Sequence, residues 1–346
     1  MPPHTSIDTI ICGIIYRETI INKLDQIILD CPGGNALYTA SGYLLFKNNI
    51  GVVSKTDQEF LEKFRNNLED QGFNTEGIKP FLHPVNIHKY YRILSKDKWE
   101  TTRIKRHFYE LGYEIPKYLL QFENPTNFPK SSKEVQNFSL LSTDFPQDYT
   151  NAKAVFLAPL NYQSHYSCIP FLRSSGVKTI LMRSSPTYMR PGKLYEISKL
   201  LSGIDYFFTT ENEIRSLYKT RFNRFGDMLD GLKEIGVPIC VIKMKDHGYL
   251  LMNPKDTRLC RIPDFEVYDV DPIGVFDCFC GAFTASLLSE NLTIEECASN
   301  AGAAASICRE GSGINYILNT FPAILKIRAE LIKREIRYNT IASITT

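Results

Sequence analysis

Asp277 is the residue on which this chain can build chemistry. It ends the stretch Asp271-Pro-Ile-Gly-Val-Phe-Asp277 and stands at the mouth of a small-residue, apolar run, Cys278 to Leu288. That run reads as a buried helix, because it has no polar face. Gly274 permits the tight turn that opens such a helix, and the unpaired N–H groups of the first turn face any nearby anion. One acid beside an anion hole suits phosphoryl transfer. The acid takes the proton of an attacking hydroxyl, and the amides hold the charge that builds on the phosphate. An Asp in this place can also be only a helix cap. A strand is expected just before the turn, at 267–270.

The stretch resembles the signature of the ribokinase-like, or PfkB, carbohydrate kinases, D-T-x-G-A-G-D followed by a small apolar helix. Asp271, Gly274 and Asp277 stand in register, as do Phe279, Gly281 and Phe283. Pro272, Val275 and Phe276 depart from the pattern, at its Thr, its Ala and its second Gly. The resemblance implies that Asp277 is the catalytic base, that Gly274, Val275 and Phe276 lead the anion hole, and that the chain uses ATP and Mg2+. A Phe at the second Gly must place its ring somewhere. Burial favours the core over a site for charged phosphates.

A second stretch, Cys31-Pro-Gly-Gly-Asn-Ala-Leu-Tyr38, puts two glycines before a small-residue helix, so backbone can approach a ligand closely. It is similar to the family's N-terminal signature, where an Asn often stands at the place of Tyr38. The resemblance implies a substrate site at Gly33, Gly34, Asn35 and Tyr38. Glu18 falls where the family has a sugar-binding Asp, five residues after the first-strand glycine, here Gly13. Read by itself, Glu18 is equally an exposed strand-edge charge. Glu213 matches the Glu of the family's N-x-x-E, which orders magnesium through water, with Thr210 at the Asn. It is also a first-turn acid that complements a helix dipole. Gly248 fits the second glycine of a G-x-x-G hairpin near the nucleotide, with Lys245 at the first. Lys243 can reach a phosphate or stay solvated. A fungal subgroup, the maintenance-of-killer proteins that stabilise double-stranded RNA virus particles, looks similar in its Gly-rich turn and in the segment Met182 to Pro191.

These residues need a frame. From 154 onward, runs of strand length alternate with helical runs, which implies βαβ units and a parallel sheet. Earlier, 7–15 reads as a first buried strand, and Asp57 to Gln71 as a capped helix that Gly72 stops. The expected fold is one ribokinase-like domain over 1–346: a three-layer α/β/α sandwich with a mostly parallel sheet. A small β lid is inserted at approximately 16–30 and 78–106. Residues 107–150 lack periodicity and read as a long irregular connection.

The chain has 346 residues, 43% of them hydrophobic, with 40 basic and 38 acidic side chains, and its net charge is +2. That balance argues against a dedicated nucleic-acid surface. The basic residues Lys96, Lys98, Arg103, Lys105, Arg106 and His107, with Trp99 among them, read as a solvated lid face or as an RNA contact through aromatics and Arg. No run reaches the length of a membrane span. Nine scattered cysteines without zinc spacing suit a reducing, cytoplasmic setting. Two functions are open: an ATP-dependent kinase acting on a sugar or sugar-like alcohol, with a possible homodimer through the lid, or a catalytically degenerate kinase-like scaffold.

Overall fold

Strand and helix alternate along most of the chain because β-branched and aromatic runs alternate with amphipathic ones. The computed structural model describes residues 7–82, 85–120, 122, 138–245, 248–256 and 258–341. Its large sheet runs, in spatial order, Arg337–Thr340, Arg258–Ile262, Tyr249–Met252, Ile239–Lys243, Tyr206–Thr210, Thr179–Arg183, Ala154–Leu157, Thr9–Cys12, Ile50–Thr56 and Phe73–Asn74. Pairing is parallel from Phe73–Asn74 to Ile239–Lys243 and antiparallel beyond it.

Side chains alternate across this sheet with period two. Ile11, Phe156, Leu181, Phe208 and Val241 join one core, which holds the helices Asn35–Leu44, Gln58–Asp70, Val275–Leu287, Ile294–Glu310 and Pro322–Arg334. Ile10, Val155, Met182, Phe207 and Ile242 face the other core, under Tyr162–Ser174, Leu194–Leu201, Glu211–Tyr218 and Phe225–Glu234. The result is the expected three-layer α/β/α sandwich. Asp57 caps its helix by accepting from the Phe60 N–H (2.6 Å).

Two helices that lie far apart in sequence touch backbone to backbone. A Cβ on Gly42 would overlap the Cys278 carbonyl, and one on Gly281 would overlap the Thr39 carbonyl. Small residues at these positions let Asn35–Leu44 and Val275–Leu287 run side by side. Their N-terminal turns therefore open together, with Gly274 against the Tyr38 ring.

The lid is a four-stranded sheet in the order Ile27–Gly33, Tyr16–Ile21, His88–Ser95, Lys98–Glu100. Its second segment is narrower than 78–106. Ile78–Pro80 pairs with Ser54–Thr56 at the edge of the large sheet, and Ile104–Glu110 is a helix. That helix and the turn Lys117–Leu119 cover one lid face through Ile21, Tyr90, Ile104, Phe108 and Leu119. An ion-pair network ties the lid to the body. Arg17 meets Asp30 (2.6 Å) and Glu59 (2.7 Å), and Lys63 reaches Asp30 (2.5 Å).

Other expectations are corrected. Residues 267–270 form no strand. Their end is held by the helix Ile294–Glu310 instead, where the Arg309 carbonyl accepts from the N–H groups of Val270 (2.8 Å) and Asp271 (3.1 Å). The connection 107–150 contains one-turn helices at Ser142–Asp144 and Gln147–Asn151, while 123–137 lies outside the described residues. Asp246 and His247, in the hairpin turn before Gly248, also lie outside them. All nine cysteines are free thiols. Among the described residues, no helix is long and apolar enough to cross a membrane.

Candidate active site

In a parallel sheet the helices start near the carboxyl ends of the strands, so ligands collect there. Arg183, Thr210 and Lys243 each end a strand, and Lys243 is the cross-strand neighbour of Thr210. Gly274, at φ 76°, caps the helix Val275–Leu287. The first intrahelical bond runs from the Cys278 N–H to the Gly274 carbonyl (2.8 Å), so the N–H groups of Val275, Phe276 and Asp277 precede it.

Asp277 sits in this first turn, and its carboxylate pairs with the Arg183 guanidinium. Burial raises the Asp277 carboxyl above the usual range, while Arg183 and, more weakly, Lys243 oppose that rise. The Phe276 ring turns away into the core. It is 4% exposed and packs on Tyr249 (5.9 Å between centroids) and Phe279 (6.0 Å). The Arg183 guanidinium lies over its face, 4.6 Å from the centroid. Burial and the neighbouring Arg183 charge lower the Lys243 amine.

Thr210 and Glu213 form a reciprocal cap on the helix Glu211–Tyr218. Glu213 Oε2 accepts from the Thr210 N–H (3.0 Å) and hydroxyl (2.8 Å), and Thr210 Oγ1 accepts from the Glu213 N–H (3.2 Å). The other oxygen, Oε1, is buried without a hydrogen bond. Ser184 lies nearby, but its hydroxyl donates to Thr209 (2.8 Å). Burial raises the Glu213 carboxyl, against the pull of Arg183.

Across the opening, Glu18 projects from the lid strand Tyr16–Ile21 and is 1% exposed. It accepts from the Gly34 N–H (2.9 Å) and from the Tyr38 hydroxyl (2.9 Å). A Cβ on Gly33 would overlap its carboxylate, and one on Gly34 (φ 94°) would overlap the Ile14 carbonyl. Burial raises the Glu18 carboxyl to about 8; Asp271 and Asp277 add to the rise, and its hydrogen bonds oppose it. Asp271, also buried, accepts from the Ile273 N–H (2.9 Å) through Oδ1, while Oδ2 has no hydrogen bond although Ser312 is close. Burial raises Asp271 to about 6.

Glu18, Gly33, Gly34, Tyr38, Gly274 and Asp277 thus form one connected lining, and the Arg183 charge beside Asp277 is felt by Glu213 and Lys243. Two expected residues serve the frame. The Asn35 amide bridges two strand ends, accepting from the Ile14 N–H (2.7 Å) and donating to the Pro159 carbonyl (2.9 Å). Gly248 (φ 74°) packs against the Ile262 carbonyl, where a Cβ would overlap. Three side chains in the site were not expected: Arg183, Lys89 and Tyr91. Lys89 is cross-strand to Glu18 on the lid. Burial lowers its amine to about 8, with Glu18 opposing. Tyr91, two residues on, feels the charges of Glu18, Asp271 and Asp277. The alternation of His88–Ser95, with Tyr90 turned to the covering helix through its bond to His107 (2.8 Å), was the signal for both.

Residues 163–320 match the sequence profile of the pfkB family carbohydrate kinase. No curated protein matches the chain. Among solved structures, Arabidopsis thaliana ribokinase complexed with ribose and ATP is similar, with TM-score 0.66 and 15% identity over 94% of this chain and 99% of that one. Fructokinase from Vibrio cholerae O395, in its fructose, ADP and calcium ion bound form, gives 0.66 and 14% over 93% and 99%. Ribokinase from Giardia lamblia gives 0.65 and 14% over 93% and 99%. The chain has the ribokinase-like fold, and the likeness to the pfkB family profile lies in residues 163–320.

Proposed function

We propose that this chain is an ATP-dependent kinase that phosphorylates a hydroxyl of a sugar or sugar-like small molecule. One observation carries the reading: the Tyr38 ring lies against Gly274, which starts the open turn that holds Asp277, while the Tyr38 hydroxyl bonds to the buried acid Glu18. That placement sets a proton acceptor and an anion hole beside a group that recognises hydroxyls.

Each residue has a task. Glu18, whose carboxyl is mostly neutral at pH 7, can donate to one substrate oxygen or accept from a hydroxyl. Tyr38 and the Gly34 amide fix its rotamer. The acceptor oxygen attacks the terminal phosphorus, its proton passes to Asp277, and the N–H groups of 275–277 hold the charge that develops. Lys243 adds a cation on the nucleotide side. Raising the Asp277 carboxyl by burial brings it closer to a useful proton acceptor at neutral pH. Among the described residues, no group of three His, Cys, Asp or Glu could hold a metal ion alone. Mg2+ in phosphoryl transfer rests mostly on phosphate oxygens and waters, whose charge it neutralises. The unpartnered Glu213 Oε1 fits a role as acceptor for one such water.

A second reading, a binding protein built on the same fold, is favoured by the Arg183–Asp277 pair, since a base held by a guanidinium is blunted. A panel of sugars, sugar acids and nucleosides, each with Mg-ATP, separates the two by coupled ADP detection. The kinase reading expects ADP release that depends on one class of acceptor. No release with any acceptor, together with no thermal stabilisation by millimolar Mg-ATP, would leave the binding protein.

A further inference from the structure

Arg183 is a charged group in the site that the mechanism above leaves unused. It ends the strand Thr179–Arg183 beside Phe208 of the next strand. Its side chain is 17% exposed. One terminal nitrogen, Nη1, pairs with Asp277 Oδ1, and the guanidinium plane rests over Phe276. Its Nε is buried without a hydrogen bond. A guanidinium offers five donors in a planar fork that matches a phosphate or carboxylate bidentately. Here the pairing with Asp277 engages one nitrogen, and a buried donor is left over. A structural ion pair would be expected to satisfy both partners. This one faces the open N-terminal turn of Val275–Leu287, where an anion belongs.

The geometry points to Arg183 as a catalytic residue that changes partners: it holds Asp277 in the empty protein and the transferring phosphoryl group in the loaded one. The inference rests on the kinase reading. In the transfer, the acceptor oxygen bonds to the terminal phosphorus. The bond from that phosphorus to the bridging oxygen breaks, and its electron pair stays on ADP. The hydroxyl proton goes to Asp277, which is free to take it because Arg183 has moved to a phosphoryl oxygen. Phe276 gains a purpose, since its ring face is a resting platform that a glycine could not offer.

Calorimetric titration of the full chain with Mg-ATP and, separately, Mg-ADP tests this on four proteins: wild type, Asp277→Asn, Arg183→Met and the double variant. Asp277→Asn removes the rival for Arg183 and should bind Mg-ATP about 10-fold tighter than wild type, with Mg-ADP little changed. Arg183→Met should weaken Mg-ATP by about 10²-fold, the scale of a lost charged contact to phosphate, while Mg-ADP stays within about 3-fold. The double variant leaves neither charge unpaired, so it guards against a folding failure of Arg183→Met. It should lose Mg-ATP affinity to the same degree relative to Asp277→Asn. If the double variant binds Mg-ATP as tightly as Asp277→Asn, or if both nucleotides weaken alike, Arg183 is a structural residue and the inference is wrong while wild-type binding keeps the kinase reading. If wild type binds neither nucleotide, the kinase reading falls and takes the inference with it.

Discussion

Phe276→Ala probes the departure from the family pattern most sharply. The ring is 4% exposed, packed on Tyr249 and Phe279, and covered by the Arg183 guanidinium. Removing a buried Phe costs about 3–5 kcal/mol through lost transfer energy and the cavity left behind. The lower end is expected, because the ring borders the site opening and the cavity can partly collapse or hydrate. About 3 kcal/mol is a large share of the ~5–15 kcal/mol that keeps a protein folded. At a urea slope of about 3 kcal/mol per molar, the midpoint should fall by about 1 M with the slope unchanged. Alanine leaves the 275–277 amides in place, so Mg-ATP should still stabilise the variant. A double cycle with Arg183→Met should show coupling of roughly 0.5–2 kcal/mol, the range of a cation over a ring face. A midpoint shift below about 0.3 M, corresponding to less than ~1 kcal/mol, would refute the packed ring and the platform with it.

Two further outcomes follow from the site and the lid. Glu18 ionises at about 8 when folded against an ordinary 4.5. It therefore favours the folded state below pH 4.5, and that contribution is lost as pH rises to 8; Asp271, raised from 3.8 to about 6, acts with the same sign. Melts of the ligand-free protein should lose stability over pH 4.5–8, and Glu18→Gln should flatten the profile; an unchanged slope would place Glu18 in water. One lid face is covered by Ile104–Glu110 and Leu119 and is closed to a second copy, so light scattering at micromolar concentration should give a monomer near 39.6 kDa, and a stable dimer would contradict that reading.

Most of the frame was legible because its causes are local. Strand-length apolar runs, the Asp57 cap and the Gly274 turn each carry their reason within a few residues. Asp277, Glu18 and Tyr38 were expected through the family resemblance, and the structure brings them to one lining. Arg183 was not, since its meaning depends on a contact 94 residues away with Asp277. Lys89 and Tyr91 were hidden for a related reason. Their alternation was apparent, but which lid face meets the body is settled only when the helix Ile104–Glu110 takes the other. Val267 to Val270 looked like a strand because it is β-prone. Its N–H partner is instead the end of a helix, which local propensity cannot foresee. Asn35 sat in a ligand-like turn, yet two backbone groups just past the ends of other strands claim its amide.

Transfer of the terminal phosphoryl group of ATP to the best acceptor of the sugar panel, followed by phosphorus NMR, is the decisive measurement, run on wild type beside Asp277→Asn. The substitution keeps the size but removes the proton acceptor and the charge that pairs with Arg183. Wild type should form a sugar phosphomonoester, and Asp277→Asn should fold with a lowered melt, since Arg183 loses its partner, and form it about 10²–10⁴-fold more slowly. Equal rates in the two proteins would make Asp277 a structural partner of Arg183 and contradict the kinase mechanism.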